Sequence, residues 1–159
     1  MIDLLEKILK EQEFEDIFQP ITPKESEDRD KKLVVEAIKE GQCKQNADGT
    51  WDCEGSVDLQ GLNLKVLFVK FGVVKGNFYC FDNSLQTLEG SPKEVGGGFY
   101  CYNNKLQTLK GSPKEVDGNF YCNHNKLQTL EGIGKVKGEI NVHGNPVSEE
   151  ELLATIGEV

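Results

Sequence analysis

Positive charge is scarce in this sequence: 18 Lys and Arg stand against 27 Asp and Glu in 159 residues, a net charge of −9 at pH 7. Ordinary nucleic-acid binding needs a basic footprint, and that shortage argues against it. It disfavours attraction to an anionic membrane surface as well. Long apolar runs are also missing. Hydrophobic residues make up 37%, and no run is long enough to cross a bilayer. The opening residues Met1-Ile2-Asp3-Leu4-Leu5-Glu6-Lys7 place charge inside a short apolar stretch, so no secretory leader is expected. The expectation that follows is a cytoplasmic location, with the five cysteines as free thiols. Neither a phosphate-cradling Gly-rich loop nor a pair of catalytic acids at a defined site can be named. No catalytic residue, metal site or cofactor is expected.

What the sequence has in excess is glycine, 17 residues, and repetition. Phe78-Tyr79-Cys80 returns as Phe99-Tyr100-Cys101 and Phe120-Tyr121-Cys122. Asn83, Leu85 and Leu88 return as Asn104, Leu106 and Leu109, then as Asn125, Leu127 and Leu130. Gly90-Ser91-Pro92-Lys93-Glu94-Val95 returns as Gly111-Ser112-Pro113-Lys114-Glu115-Val116, again 21 residues on. Degenerate copies flank these: Val57, Leu59, Leu64, Leu67 and Val74 before, and Ile140, Val142, Asn145 and Val147 after, where Gly132-Ile133-Gly134-Lys135-Val136 is shorter by one. Such a period predicts a solenoid over 55–147, because one copy cannot bury its apolar side chains alone and stacked copies can. Alternation within Phe78-Tyr79-Cys80 sends Phe and Cys inward and Tyr outward. Glycines 76, 97, 98 and 118 are expected at the corner before each strand. Five stacked strands about 4.8 Å apart would span roughly 20 Å.

The order Phe-x-Cys-x-x-Asn-x-Leu-x-x-Leu resembles the leucine-rich repeat, and the short return segment with Pro resembles its compact bacterial type. The fuller wording, Asn-Lys-Leu-x-Thr-Leu-Glu-Gly-Ser-Pro-Lys-Glu-Val, resembles repeat proteins encoded by tailed bacteriophages. The resemblance implies a parallel sheet of about five short strands with irregular return segments. It also implies an inner-wall ladder of Asn83, Asn104, Asn125 and Asn145 that bonds backbone of the neighbouring turn. As to role, it implies a binding protein, plausibly a phage accessory protein acting on a host or defence protein.

Both ends of the stack need covers. Ser148-Glu149-Glu150-Glu151 followed by Leu152-Leu153-Ala154-Thr155-Ile156 reads as a cap helix within 148–159, with Ser148 and Glu151 as a capping box. Residues 1–54 read as an N-terminal capping region. It comprises a helix over about 3–18 and a second opened by Thr22-Pro23-Lys24-Glu25, which runs to about Glu40 with Leu33, Val34, Ala37 and Ile38 on its apolar stripe. A hairpin follows around Asp48-Gly49. This region is strongly acidic: residues 1–60 carry 16 acidic and 8 basic side chains, against 11 and 10 in 61–159. A solvated helical surface explains that imbalance. A basic partner, or imitation of DNA, is the alternative.

Candidate binding residues lie on the outward side of the sheet. Its central column reads Asp58, Tyr79, Tyr100, Tyr121, Asn141 and the adjacent one Gln60, Phe81, Tyr102, Asn123, His143. A column before reads Asn77, Gly98, Asn119, Glu139, and a flank reads Asp82, Asn103, His124. Five aromatic rings thus gather on an exposed, concave face, and aromatic patches of that size commonly mark binding sites. Stabilisation of the sheet by neighbouring rings is the competing explanation. The binding set is Tyr79, Phe81, Tyr100, Tyr102, Tyr121, Asn123, Asn141 and His143. The expected partner is a protein, with carbohydrate possible. Cys80, Cys101 and Cys122 point inward beside leucines and read as core fillers. Cys43 and Cys53 flank the hairpin as possible cross-strand neighbours, held apart as thiols by a reducing compartment. His124 and His143 read as surface residues in different columns. A structural or virion-associated protein that oligomerises through its caps is the alternative function. An enzyme with activity in the N-terminal helices is a more distant one.

Overall fold

A computed structural model describes residues 23–156. The helix expected over 3–18, and Thr22 of the expected capping box, lie outside the described residues. Helix α1 (Pro23–Glu40) opens on a proline, whose fixed φ and missing N–H suit the first helical position. It turns Val34, Ala37 and Ile38 onto the first coil. Its end is tied by the Gly41 N–H, which donates to Ala37 O at 2.9 Å.

The chain then coils through two sheets. One holds β3 (Val57–Asp58), β5 (Phe78–Tyr79), β7 (Phe99–Tyr100), β9 (Phe120–Tyr121) and β11 (Ile140–Asn141), all parallel. The other runs β1 (Cys43–Gln45), β2 (Trp51–Cys53), β4 (Phe71–Val74), β6 (Glu94–Val95), β8 (Glu115–Val116) and β10 (Lys135–Val136). Within that sheet only the β1–β2 pair is antiparallel. Five strands in one column enclose four full circuits, so this is a parallel-strand solenoid of about four turns. Short helix α2 (Glu149–Ile156) follows the last coil. None of the described helices is long and apolar enough to cross a membrane.

The second sheet refines one expectation: the return segments are irregular over most of their length, but each carries a two-residue strand, such as Glu94–Val95, that pairs with its counterpart. In-register stacking sets each return segment beside its counterpart. Its backbone N–H and C=O groups then have each other as the nearest partners. Lys93 N–H donates to Gly72 O at 2.8 Å and Lys114 N–H to Lys93 O at 2.8 Å. The hairpin's second strand, β2, already belongs to this sheet through its parallel pairing with β4.

The two sheets meet at a glycine corner. Gly97 N–H donates to Gly76 O and Gly118 N–H to Gly97 O, both at 2.9 Å, so the ladder runs through the bend. The glycine requirement is close approach: a Cβ on Gly97 would stand 2.2 Å from Asn77 Oδ1 and 2.9 Å from the Gly76 carbonyl. Positive φ occurs elsewhere, where the strand of the five-stranded sheet ends. Asp82, Asn103 and His124 take φ of 54°, 52° and 53°, the left-handed region that short polar residues tolerate. That turn is why the strands stop so soon.

Inside, Phe78, Phe99 and Phe120 stack at 5.6 and 5.2 Å with their rings fully buried. The leucines at 85, 88, 106, 109, 127 and 130 fill the opposite wall, at 0–1% exposure. Each such side chain contributes about 1.5–3 kcal/mol of burial, and only because a neighbouring coil covers it.

Cys43 sits directly opposite Cys53 in the β1–β2 pair, and the two form a disulfide. The expectation of free thiols at this pair is therefore corrected. The hairpin brings the two Cα atoms to 3.9 Å on one side of the ribbon, close enough for the sulfurs to bond. Cys80, Cys101 and Cys122 are free and buried.

Candidate functional site

The outward face of the five-stranded sheet is built by alternation. Phe78 and Cys80 are fully buried while Tyr79 between them is half-buried on the other side, and the two following coils repeat this. Pairing of Tyr79 with Tyr100, and of Tyr100 with Tyr121, puts the rings side by side. Their centroids are 5.1 Å apart with planes 13° from parallel for Tyr79–Tyr100, and 5.4 Å apart and edge-to-face for Tyr100–Tyr121. Phe81 and Tyr102 stack at 4.4 Å, and Phe81 meets Tyr79 edge-on at 6.2 Å. The five aromatic side chains of the candidate set thus form one contiguous group.

The polar members of the set do not all join it. Asn141 accepts a hydrogen bond from the His143 N–H at 3.1 Å, a local turn contact at the end of its own strand. The exposed His143 ring packs edge-to-face on His124 at 5.6 Å, away from the tyrosines. His124 was not in the candidate set. The left-handed turn at His124 aims its ring at the next coil, and Gly144 leaves room there, since a Cβ on it would lie 2.5 Å from His124 Nδ1. Asn123 is half-buried beside this pair in sequence.

A second row of amides at the corner ties the tyrosines down. Asn77 Nδ2 donates to the Tyr79 hydroxyl at 2.7 Å, and its Oδ1 accepts from the Gly98 N–H at 2.7 Å. Asn119 Nδ2 donates to the Tyr121 hydroxyl at 3.1 Å and its Oδ1 accepts from the Glu139 N–H at 2.9 Å. Tyr121 in turn donates to Glu139 Oε2 at 3.2 Å. Partial burial, then the Glu139 carboxylate, push the Tyr121 phenol above its ordinary pKa. Between Asn77 and Asn119 the column has Gly98. A Cβ there would stand 2.4 Å from the Tyr100 hydroxyl, so Tyr100 leans back into the space its neighbours give to Asn. Among the described residues, the Tyr100 and Tyr102 hydroxyls have no hydrogen-bond partner. Column position alone named Asn77 and Asn119, but their amide bonding was missed, because Gly98 breaks the period at the middle coil.

The inner ladder is continuous. Asn83, Asn104, Asn125 and Asn145 each accept, through Oδ1, the N–H of a leucine in the preceding coil, at 2.9, 2.9, 3.0 and 3.0 Å. Each Nδ2 donates to one carbonyl of that coil and to one or two of its own, as Asn104 does to Cys80 O at 2.9 Å, Cys101 O at 3.1 Å and Tyr102 O at 3.3 Å. These side chains hold coils together and present nothing outward. The buried thiols are equally withdrawn. Burial raises Cys80 and Cys101 far above the ordinary range and lifts Cys122 to about 12.

Beside the first strand, a shallow groove of about 280 Å³ separates α1 from β3. It is lined by Leu33, Glu36, Ala37, Glu40, Asp58, Gln60 and Leu62. Comparison of the chain with protein-family models, curated proteins and solved structures finds no match in any of the three.

Proposed function

We propose that this chain is a leucine-rich-repeat binding module that captures another protein on the outward, aromatic face of its five-stranded sheet. The observation that carries this reading is the in-register group Tyr79, Tyr100, Tyr121, Phe81 and Tyr102, half-buried on a rigid sheet. Tyrosines held this way lose little conformational entropy on binding and offer both area and hydroxyls. Two of those hydroxyls, on Tyr100 and Tyr102, are free to bond a ligand. The leucine-rich-repeat assignment is supported by the asparagine ladder, whose amides bridge successive coils. The phage resemblance favours a bacterial host or defence protein as the partner, met in the cytoplasm.

The test compares the chain with its Tyr79→Ser/Tyr100→Ser/Tyr121→Ser variant as bait in a bacterial lysate, followed by titration of each captured protein in purified form. A partner bound by the parent and weakened at least about tenfold by the variant, with the variant's thermal melt within a few degrees, is the expected result. Equal binding by both chains would remove the site. Assembly through the caps is the second reading, motivated by Leu153, which is 71% exposed on α2. A purified chain that scatters light as a monomer contradicts it.

A further inference from the structure

The aromatic face is not uniform along the solenoid. Tyr79 and Tyr100 lie 13° from parallel, and Phe81 and Tyr102 lie 12° from parallel, so each pair covers its own inner ring faces. Open faces remain at the ends of the stacks. On the first-coil side, strand pairing sets Asp58 opposite Tyr79, and the same register sets Gln60 opposite Phe81. Both are shorter than a ring, and among the described residues no aromatic side chain caps Tyr79 or Phe81 there.

Among the described residues, the charged side chains that line the groove at this end are all acidic. Among the described residues, the Asp58 carboxylate accepts only neutral donors, the Gln60 N–H at 3.0 Å and Gln60 Nε2 at 2.9 Å. Glu36 and Glu40 face it across the groove, and among the described residues no lysine or arginine lines it. None of the three makes an ion pair among the described residues. The face of the six-stranded sheet differs: there Lys75 pairs with Glu54, and Lys137 with Glu115 and Asp117. An open ring face attracts a cation, and a carboxylate beside it supplies the counter-charge. A planar guanidinium lies flat on the ring and meets a carboxylate with two parallel N–H donors, which an ammonium cannot do.

Building on the binding role proposed above, we propose that the first-coil end of this face receives an arginine side chain of the partner protein. The guanidinium stacks on the Tyr79 ring and bonds the Asp58 carboxylate, while Glu36 and Glu40 draw basic segments into the groove. The ligand is thus a basic, arginine-bearing stretch of protein, and the rest of the aromatic face covers its neighbouring residues.

Nuclear magnetic resonance titration of the full chain tests this with the capped peptide Gly-Arg-Gly-Arg-Gly. Two control peptides carry citrulline, of the same shape but uncharged, or lysine in place of arginine. The expected result is saturable shifts at Tyr79, Phe81 and Gln60, with the citrulline peptide about tenfold weaker or more and the lysine peptide about threefold weaker. Asp58→Asn keeps the oxygen that accepts the Gln60 N–H and is expected to weaken the arginine peptide about five- to tenfold, with an unchanged melt. Absence of saturable shifts at these residues, equal binding of the citrulline peptide, or indifference to Asp58→Asn overturns the proposal. If one of these occurs while a captured partner still depends on the three tyrosines, the arginine site falls and the protein-binding face stands. If a neutral oligosaccharide shifts these signals and the arginine peptide does not, the ligand class is carbohydrate and both readings fall.

Discussion

Asn104 shows how much one side chain can hold in this architecture. Its buried amide accepts the Leu85 N–H and donates to Cys80 O, Cys101 O and Tyr102 O. Replacement by Ala orphans the Leu85 N–H where water cannot follow. Urea unfolding of Asn104→Ala should show a loss of about 1–3 kcal/mol; a loss under about 0.5 kcal/mol would mean that the backbone finds other partners. The thiols make a pH prediction. Cys122 stays neutral in the fold up to about 12, while its ordinary value is 9.0, and burial raises Cys80 and Cys101 as well. Above pH 9 the unfolded chain therefore binds fewer protons than the fold, so stability falls as pH rises from about 9 toward 12 and is unaffected by these groups below it. The urea midpoint should drop between pH 8 and pH 11, less steeply in Cys101→Ala; equal slopes in the two chains would assign the loss to other groups. At this scale the inner ladder was legible because Asn recurs at 21-residue steps from Asn83 to Asn125 and one residue short at Asn145, positions to which the leucine-rich-repeat resemblance gave a ladder role. The column of Asn77 and Asn119 was legible too, but their bonds to the tyrosine hydroxyls were not, because Gly98 between them suggests no contact shared by every coil.

At the scale of elements, the corner gives a paired comparison. Gly97 and Gly55 occupy equivalent bends two coils apart. A Cβ on Gly97 would run into Asn77 and the Gly76 backbone, whereas on Gly55 its nearest neighbour, Gly41 O, is an ordinary 3.4 Å away. Gly97→Ala should cost about 1–3 kcal/mol and Gly55→Ala close to nothing, by thermal or urea unfolding. Equal costs would show that close approach is not what selects glycine at the Gly97 bend. The C-terminal cap departs from its expected form. Ser148 Oγ accepts the Glu151 N–H at 3.2 Å, but the Glu151 carboxylate does not reach back to complete the box. It bonds the Thr129 hydroxyl and the Leu130 N–H of the last coil instead. Among the described residues no further coil meets that edge, and a carboxylate on the cap answers it. These bonds, the Thr129 hydroxyl first, hold Glu151 below the ordinary carboxylate range. That stabilisation is present above the unfolded value near 4.5 and is lost as pH falls through the lower folded value. The protection of the Leu130 amide against exchange, taken relative to its intrinsic rate at each pH, should therefore fall on acidification, and in Glu151→Gln that acid response should vanish. The sequence shows the helix and its capping residues but not which group the carboxylate prefers, because a capping box and a long-range contact use the same residue type.

At the scale of the molecule, the period of 21 residues fixed which side chains face inward and which share a column, and the stacked coils follow it. It did not reveal the second sheet. Glu94-Val95 is too short to read as a strand, and it becomes one only through its neighbours. Nor did it reveal the state of Cys43 and Cys53, which hairpin pairing sets opposite each other. The binding role rests on a collective property of the coils, that successive outward rings meet to form one surface. Nuclear Overhauser contacts between aromatic rings measure this directly in solution. Contacts of Tyr79 with Tyr100 and of Tyr100 with Tyr121, separate from those linking Phe78, Phe99 and Phe120, are predicted. Tyrosine rings in contact with the buried phenylalanines, or with no ring of an adjacent coil, would contradict the account.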